Sequence, residues 1–422
     1  MLGFGQASGS NPRMSSVRNV VVLSDYAFFK GGAEKIALTS AVGLAEAGLN
    51  VSLFSAVGPV ADGMDRLNSI HCLRQLDIAS DPERVRAMTR GLWNATAKAS
   101  LAEVLSNFSP DDTVIHAHQW NKALTTSVFD AVRKGDFEFV LTLHDYFIAC
   151  PNGGFLIYPR NEICEHKPLT FGCVVCNCDV RHFSHKVWRT ARHMIQNKLY
   201  GLPSHTKHCI YLSEFSRNVL KPYLPAQTQW HHVPNPSDFG NSSLIDVAKN
   251  DTFLFVGRLS AEKGATVFAE AAKQAGVKAV FVGDGEEKEA ILRANPDATV
   301  TGWLERPAVL ARYRESRALV FPSLWYECQP LAVLEALSLG LPVIVTDRCA
   351  ASEAVVEGVN GYCFARGSVS DLAERIRLLR NDDHVKHLSN EAYRMARSQT
   401  PDMKEHVQKL IGVYDHMLAI RG

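Results

Sequence analysis

The chain is expected to be an α/β protein with two doubly wound, Rossmann-like domains facing across a cleft. Three observations lead there. Short apolar runs alternate with helix-period segments through most of the 422 residues, glycine-rich turns follow strand ends, and the alternation restarts after Asn235-Pro236. The length agrees, because single hydrophobic cores rarely serve more than about 250 to 300 residues.

Val17 to Ser24 (VRNVVVLS) has the continuous apolar pattern of a strand buried on both faces. Gly31 and Gly32 then precede the helical stretch AEKIALTSAVGLAEAG, which ends at Gly48, and Val51 to Ser55 is a second strand. Strand, glycine turn, helix and strand make a βαβ unit, so the sheet is parallel with its ligand-binding loops at the strands' carboxyl ends. Thr113 to His116, Phe139 to Leu143 and Cys209 to Leu212 continue it. Beyond the junction, at Val233 to Ser243, the rhythm resumes with Thr252 to Val256, a helix over Ala265 to Ala275, Ala279 to Val282, Ala318 to Phe321, Pro342 to Thr346 and Gly361 to Phe364. The expected division is a flexible N-terminus (1–16), an N-terminal Rossmann-like lobe (17–235) with a Cys-rich insertion (150–180), a C-terminal Rossmann-like lobe (236–400) and a last helix (401–422). That helix either packs back on the first lobe or closes the second.

Composition narrows the function. A 46% hydrophobic and 21% charged chain is neither disordered, collagenous nor coiled coil. Lys plus Arg number 45 against 44 Asp plus Glu, a net charge of +1, so no whole-chain field captures nucleic acid and none is expected as a partner. No apolar run reaches the roughly 18 to 20 residues of a membrane span, and the opening MLGFGQASGSNPRMSSVRN lacks a secretory core. A cytoplasmic location is expected, and ten cysteines there argue against a disulfide scaffold.

The most informative stretch is Phe321 to Thr346 (FPSLWYECQPLAVLEALSLGLPVIVT). It opens after a strand, starts a helix at Pro330 and ends it at Gly340, placing Glu327 in the preceding loop and Glu335 inside the helix. Two carboxylates beside a helix start suit the hydroxyls of a sugar; a capping carboxylate and a solvated helix face are the plainer alternative. In FLFVGRLSAEKG (Phe253 to Gly264) a strand ends at Gly257 and delivers Arg258 and Lys263 into one loop, a pairing suited to a diphosphate. Alone, the two would read as surface charge.

The ordered series GRLSAEKG, VGDGEEKEAI (Val282 to Ile291), Thr301-Gly302-Trp303 and ECQPLAVLE followed by ALSLGLPVI resembles the retaining nucleotide-sugar glycosyltransferases of family four, whose fold is called GT-B. The likeness spans about 252 to 379, with a looser match in the first lobe through the Gly-Gly loop and TLHDYFIACP (Thr142 to Pro151).

The resemblance implies roles. Arg258 and Lys263 look like the pair that neutralises the donor diphosphate as the sugar leaves. Gly31 and Gly32 resemble the loop whose backbone approaches the same phosphates. Glu335 is similar to the carboxylate that holds the ribose hydroxyls, and Glu327 to the one facing the transferred sugar, with Cys328, Gln329, Pro330 and Leu331 in the adjoining donor loop. Gly283, Asp284, Gly285, Gly302 and Trp303 fall where the nucleotide base packs. His144 matches a first-lobe histidine near the reacting sugar, expected to position rather than to shuttle protons. Two departures stand out. Cys328-Gln329 replaces a common Phe-Gly, and Cys349-Ala350-Ala351 replaces the glycine turn before Ser352-Glu353.

No D-x-D triplet occurs, so the expected transfer needs no metal or other cofactor, and a nucleoside-diphosphate sugar is the donor substrate. The expected acceptor is a glycan or lipid-linked saccharide in surface-polysaccharide assembly. A non-catalytic sugar-nucleotide-binding subunit is the second reading. A dinucleotide oxidoreductase is a third, weakened because Gly283-Asp284-Gly285 lacks the last glycine of that fingerprint.

Two stretches stay open. Cys150, Cys164, Cys173, Cys176 and Cys178 fit a structural metal, buried free thiols or redox chemistry. Residues 181–198, from Arg181 to Lys198, interleave Lys186, Arg189 and Arg192 with Phe183, Val187, Trp188 and Ile195. They read either as a packed helix with a basic solvated face or as a peripheral contact with the inner face of the cell membrane.

Overall fold

The computed structural model describes residues 16–237 and 242–421. The expected flexible N-terminus therefore lies outside the described residues except for Ser16, as does part of the expected junction.

The first sheet is parallel throughout, in the order β3-β2-β1-β4-β5-β8-β9. Its strands are β1 (Asn19–Tyr26), β2 (Asn50–Val57), β3 (Ser69–Cys72), β4 (Thr113–Gln119), β5 (Glu138–Thr142), β8 (His208–Tyr211) and β9 (Gln229–His232). Between β5 and β8 the insertion carries only a small antiparallel hairpin, β6 (Leu156–Ile157) with β7 (Glu162–Ile163), and short helices. The second sheet, also parallel, runs β12-β11-β10-β13-β14-β15. Its strands are β10 (Thr252–Val256), β11 (Lys278–Val282), β12 (Thr299–Val300), β13 (Ser316–Phe321), β14 (Val343–Thr346) and β15 (Gly361–Phe364).

In both sheets the order reverses beside the first strand, so the loops after β1 and β10 open at switch points, where such sheets receive ligands. β1 and β4 are buried almost end to end because helices cover both faces.

The chain leaves the first lobe and returns to it at adjacent points, where the Ser237 N–H donates to the Pro401 carbonyl at 3.0 Å. The last helix, Met403–Ala419, starts with a capping box between Asp402 and Glu405. Its Val407, Leu410, Tyr414 and Met417 are buried with Val20, Leu38, Leu44 and Val114 of the first lobe. Close approach of this helix to Gly32–Glu46 depends on Gly43, where a Cβ would lie 2.8 Å from a Val407 methyl. At the other end, Asp415 accepts hydrogen bonds from Ser16.

Candidate active site

The loop after β10 sits against the turns after β11 and β12. Gly283 N–H donates to the Gly302 carbonyl at 3.0 Å, and Leu259 N–H donates to the Asp284 carbonyl at 2.9 Å. Gly283 has φ +143°, and a Cβ there would lie 1.9 Å from the Gly257 carbonyl oxygen, so only glycine fits. Arg258, the Gly283-Asp284-Gly285 turn and Gly302 are thereby gathered at the carboxyl ends of neighbouring strands. The Trp303 ring next to them is 75% exposed.

The two loop cations have separate partners. Arg258 reaches Glu262 at 2.7 Å and remains largely exposed, whereas Lys263 lies 2.7 Å from Oε1 of Glu327. That oxygen also accepts from Trp325 Nε1 at 2.7 Å and Ser323 Oγ at 2.9 Å. Loop 258–264 is tied to the Glu327 loop by Leu324 N–H donating to the Glu262 carbonyl at 2.8 Å.

Glu335 lies in the helix Leu331–Ser338. Its carboxylate meets Arg306 at 2.7 Å, Tyr313 OH at 3.2 Å and, from the first lobe, Lys35 at 3.4 Å. Leu331, one turn earlier, abuts Gly32, where a Cβ would come within 3.3 Å of it. Gly31 and Gly32, at the start of the helix Gly32–Glu46, therefore face the helix that carries Glu335. The Cys328 carbonyl accepts from Ser213 Oγ at 2.6 Å, and Gln329 Oε1 accepts from Asn235 N–H at 2.7 Å, so the loop ahead of Pro330 is held by the first lobe and by the segment that leaves it. Glu353 also spans the lobes, accepting the N–H groups of Glu214 and Phe215.

His144 follows β5, and its Nε2 lies 3.0 Å from His118 Nδ1. Burial, reinforced by His406, pulls the His144 pKa down to about 3, so the ring is neutral near pH 7. Two residues on, the Tyr146 hydroxyl donates to the Glu327 carbonyl at 3.2 Å. The His144 segment thus joins the same cluster.

Sequence reasoning passed over Lys35, Arg306, Trp325 and Tyr146, all of which touch the cluster. Lys35 and Trp325 left a signal: one lies three residues past the glycine pair, the other two residues before Glu327. Arg306 and Tyr146 become visible only once distant loops meet.

Beside the cluster, the insertion corrects the expected basic face. Lys186 is buried, with its ammonium 3.6 Å from Cys173 Sγ; Arg189 pairs with buried Asp179 at 2.9 Å; and Arg192 donates to the Asn121 carbonyl at 2.7 Å. These cations turn inward because buried acceptors demand them, and Phe183, Val187, Met194 and Leu199 are left exposed. All ten cysteines are free thiols, and among the described residues no group of three or more His, Cys, Asp or Glu side chains is placed to hold a metal ion.

The sequence profile described as glycosyl transferases group 1 matches residues 243–395, the span that holds Arg258, Lys263, Glu327 and Glu335. Residues 243–395 belong to that family. The group 1 domain is therefore the second lobe, and with the first it makes the GT-B fold. The sulfoquinovosyl transferase SQD2 of Arabidopsis thaliana is 30% identical over 147 residues, covering 33% of this chain and 29% of that protein. An Escherichia coli enzyme named UDP-Gal:alpha-D-GlcNAc-diphosphoundecaprenol alpha-1,3-galactosyltransferase is 37% identical over 116 residues, covering 24% and 29%. The chain thus spans less than a third of these relatives' lengths. Among solved structures, Anabaena HepE in complex with UDP and glucose superimposes with TM-score 0.65 at 17% identity, covering 94% of this chain and 99% of that one, a likeness of fold. No helix of the described residues is long and apolar enough to cross a membrane.

Proposed function

We propose that the protein is a glycosyltransferase that moves a sugar from a nucleoside-diphosphate sugar to a glycan or lipid-linked acceptor, with retention at the anomeric carbon and without a metal. The observation that carries this reading is the junction of Lys263 with Glu327 and of Glu335 with Lys35, two acid–base pairs at the ends of one short loop and helix, the second of them beside the Gly31-Gly32 turn. In this mechanism Arg258 and Lys263 exchange their carboxylate partners for the diphosphate and stabilise the charge that grows on it as the glycosidic bond stretches. The sugar gains oxocarbenium character, Glu327 and His144 hold its hydroxyls, and Glu335 holds the ribose. The acceptor hydroxyl attacks from the leaving-group face and gives its proton to the departing phosphate oxygen. Trp303 and the Gly283-Asp284-Gly285 turn receive the base.

The exposed side of residues 181–199 supports a setting for the acceptor. Residues 180–213 contain no Asp or Glu, and the exposed Phe183, Val187, Met194 and Leu199 lie between exposed Arg181 and Lys198. Such a surface suits peripheral contact with anionic lipid on the cytoplasmic side of a membrane, near a lipid-linked saccharide of surface-polysaccharide assembly. The named substrate of the E. coli relative supports that acceptor class.

The test is release of nucleoside diphosphate and sugar transfer by purified protein across a panel of nucleotide sugars and saccharide acceptors, with and without EDTA. Product anomeric configuration is read by NMR. Tight nucleotide-sugar binding with no hydrolysis or transfer would favour the non-catalytic subunit, and loss of turnover in EDTA would overturn metal independence. Co-sedimentation with phosphatidylglycerol vesicles, but not with phosphatidylcholine, is expected and should fall in Phe183→Asp; indifference to lipid charge would exclude this contact.

A further inference from the structure

Three histidines stand in file beneath the cleft. His116 is saturated: Nδ1 lies 2.6 Å from the Tyr414 hydroxyl, and Nε2 lies 2.7 Å from Thr142 Oγ1. Its ring packs on His118 at 4.0 Å between centroids, and the His118 ring stacks on His144 at 5.2 Å. His118 is 4% exposed and spends Nδ1 on His144 Nε2, while its own Nε2 is buried without a partner.

A neutral imidazole carries one N–H and one bare nitrogen, so this pair has two possible arrangements. If His118 held its hydrogen on Nε2, a buried N–H would be stranded, and His144 would have to donate from Nε2. If His118 holds it on Nδ1, the only buried ring nitrogen of the pair left without a partner carries a lone pair and not a hydrogen. Unpaired buried acceptors occur more readily than unpaired buried N–H groups, so the second arrangement is favoured. In it, His118 donates to His144 Nε2, and the hydrogen of His144 sits on Nδ1, which has no partner among the described residues.

We propose that His118 is a positioning residue that fixes His144 as its Nδ1–H tautomer, so that His144 offers a hydrogen-bond donor and no proton acceptor to the ligand. The inference rests on the reading above that His144 meets the transferred sugar. It gives that reading a direction: Nδ1–H donates to a sugar hydroxyl oxygen. It also removes His144 as a base for the acceptor's proton. Both rings stay neutral because burial, then the neighbouring histidines, holds their pKa values below the usual imidazole range.

The first experiment does not depend on turnover. Long-range ¹H–¹⁵N correlation on histidine-labelled protein at pH 7, with His144 assigned by loss of its signals in His144→Gln, should show a protonated Nδ1 and a bare Nε2. The reverse pattern would overturn the proposal. In His118→Leu the His144 signals should shift to a tautomer mixture, and in His118→Asn, whose side-chain amide reaches the place of Nδ1–H, the wild-type pattern should return. In the transfer assay, His118→Leu should lose about 10- to 100-fold in kcat with donor KM within threefold, and His118→Asn should recover most of it. Equal losses in both variants, with the tautomer unchanged in each, would reduce His118 to packing. A correct tautomer in a protein that transfers no sugar would place the failure in the functional reading instead.

Discussion

Lys263 Nζ lies 2.7 Å from Oε1 of Glu327, joining two loops 64 residues apart in the chain. Three donors converge on that one oxygen, from Lys263, Ser323 and Trp325. The ion pair holds Lys263 at the mouth of the β10 loop, where a diphosphate can compete for it. Removing the cation in Lys263→Ala should lower kcat by about 100- to 1,000-fold, the usual cost of losing one group that stabilises developing charge. Circular dichroism should show an intact fold. Steady-state transfer kinetics measure the effect, and an unchanged kcat would remove Lys263 from the mechanism.

Glu335 leads to a different expectation, because it gathers Arg306, Tyr313 and, across the lobes, Lys35. Glu335→Gln keeps the shape but removes the charge that both cations face and the oxygen proposed for the ribose. Hydrogen bonds to charged groups contribute about 1.5 to 3 kcal/mol, so nucleoside-diphosphate affinity should drop about 10- to 100-fold by isothermal calorimetry. Wild-type affinity in this variant would show that the ribose is held elsewhere.

The sheet strands were legible in the chain because parallel strands covered on both faces must be apolar throughout, as Val20 to Leu23 and Leu319 to Phe321 are. The edge strands β3, β9 and β12 escaped: Ser69–Cys72 and Gln229–His232 carry polar residues and are only half-buried, and Thr299–Val300 is two residues long. The second-lobe part of the site was legible because Arg258, Lys263, Glu327 and Glu335 lie in short ordered motifs. The partners that complete it were not, since Lys35 reaches Glu335 from 300 residues away and Tyr146 reaches Glu327 from 181. Of the two readings of residues 181–198, the basic solvated face fails at Lys186, Arg189 and Arg192 for a related reason. Asp179 and the Asn121 carbonyl, which draw Arg189 and Arg192 inward, lie outside that stretch of sequence.

Gly283 carries the packing of three loops. Any Cβ would collide with the Gly257 carbonyl at 1.9 Å, and φ +143° disfavours every L side chain. Gly283→Ala should destabilise the second lobe by about 3 kcal/mol, the upper range for forced overpacking. Urea unfolding followed by tryptophan fluorescence should show an earlier transition, with nucleotide affinity falling in parallel because the Arg258 loop rests on this glycine. An unshifted transition would mean that the loop moves aside at little cost.

The docked C-terminal helix makes the protein acid-sensitive in a predictable direction. His406 lies between Ser40 Oγ at 3.0 Å and the Pro234 carbonyl at 3.0 Å, and burial, only partly offset by that carbonyl, lowers its pKa to about 4. In the unfolded chain it titrates near 6.5. Between these values the unfolded state holds more protons than the folded one, so stability rises with pH through this window and is lost as pH falls from about 6.5 toward 4. For this one group the loss from pH 7 to pH 5 is about 2 kcal/mol. His144 and His193, both lowered to about 3 with burial as the first cause, act in the same sense. Urea unfolding of wild type at pH 7 and pH 5 should therefore differ by several kcal/mol, and His406→Gln should shrink that difference by about 2 kcal/mol while leaving a residue able to bond Ser40. An identical pH dependence in the two proteins would mean that His406 protonates without leaving its site between Ser40 and Pro234.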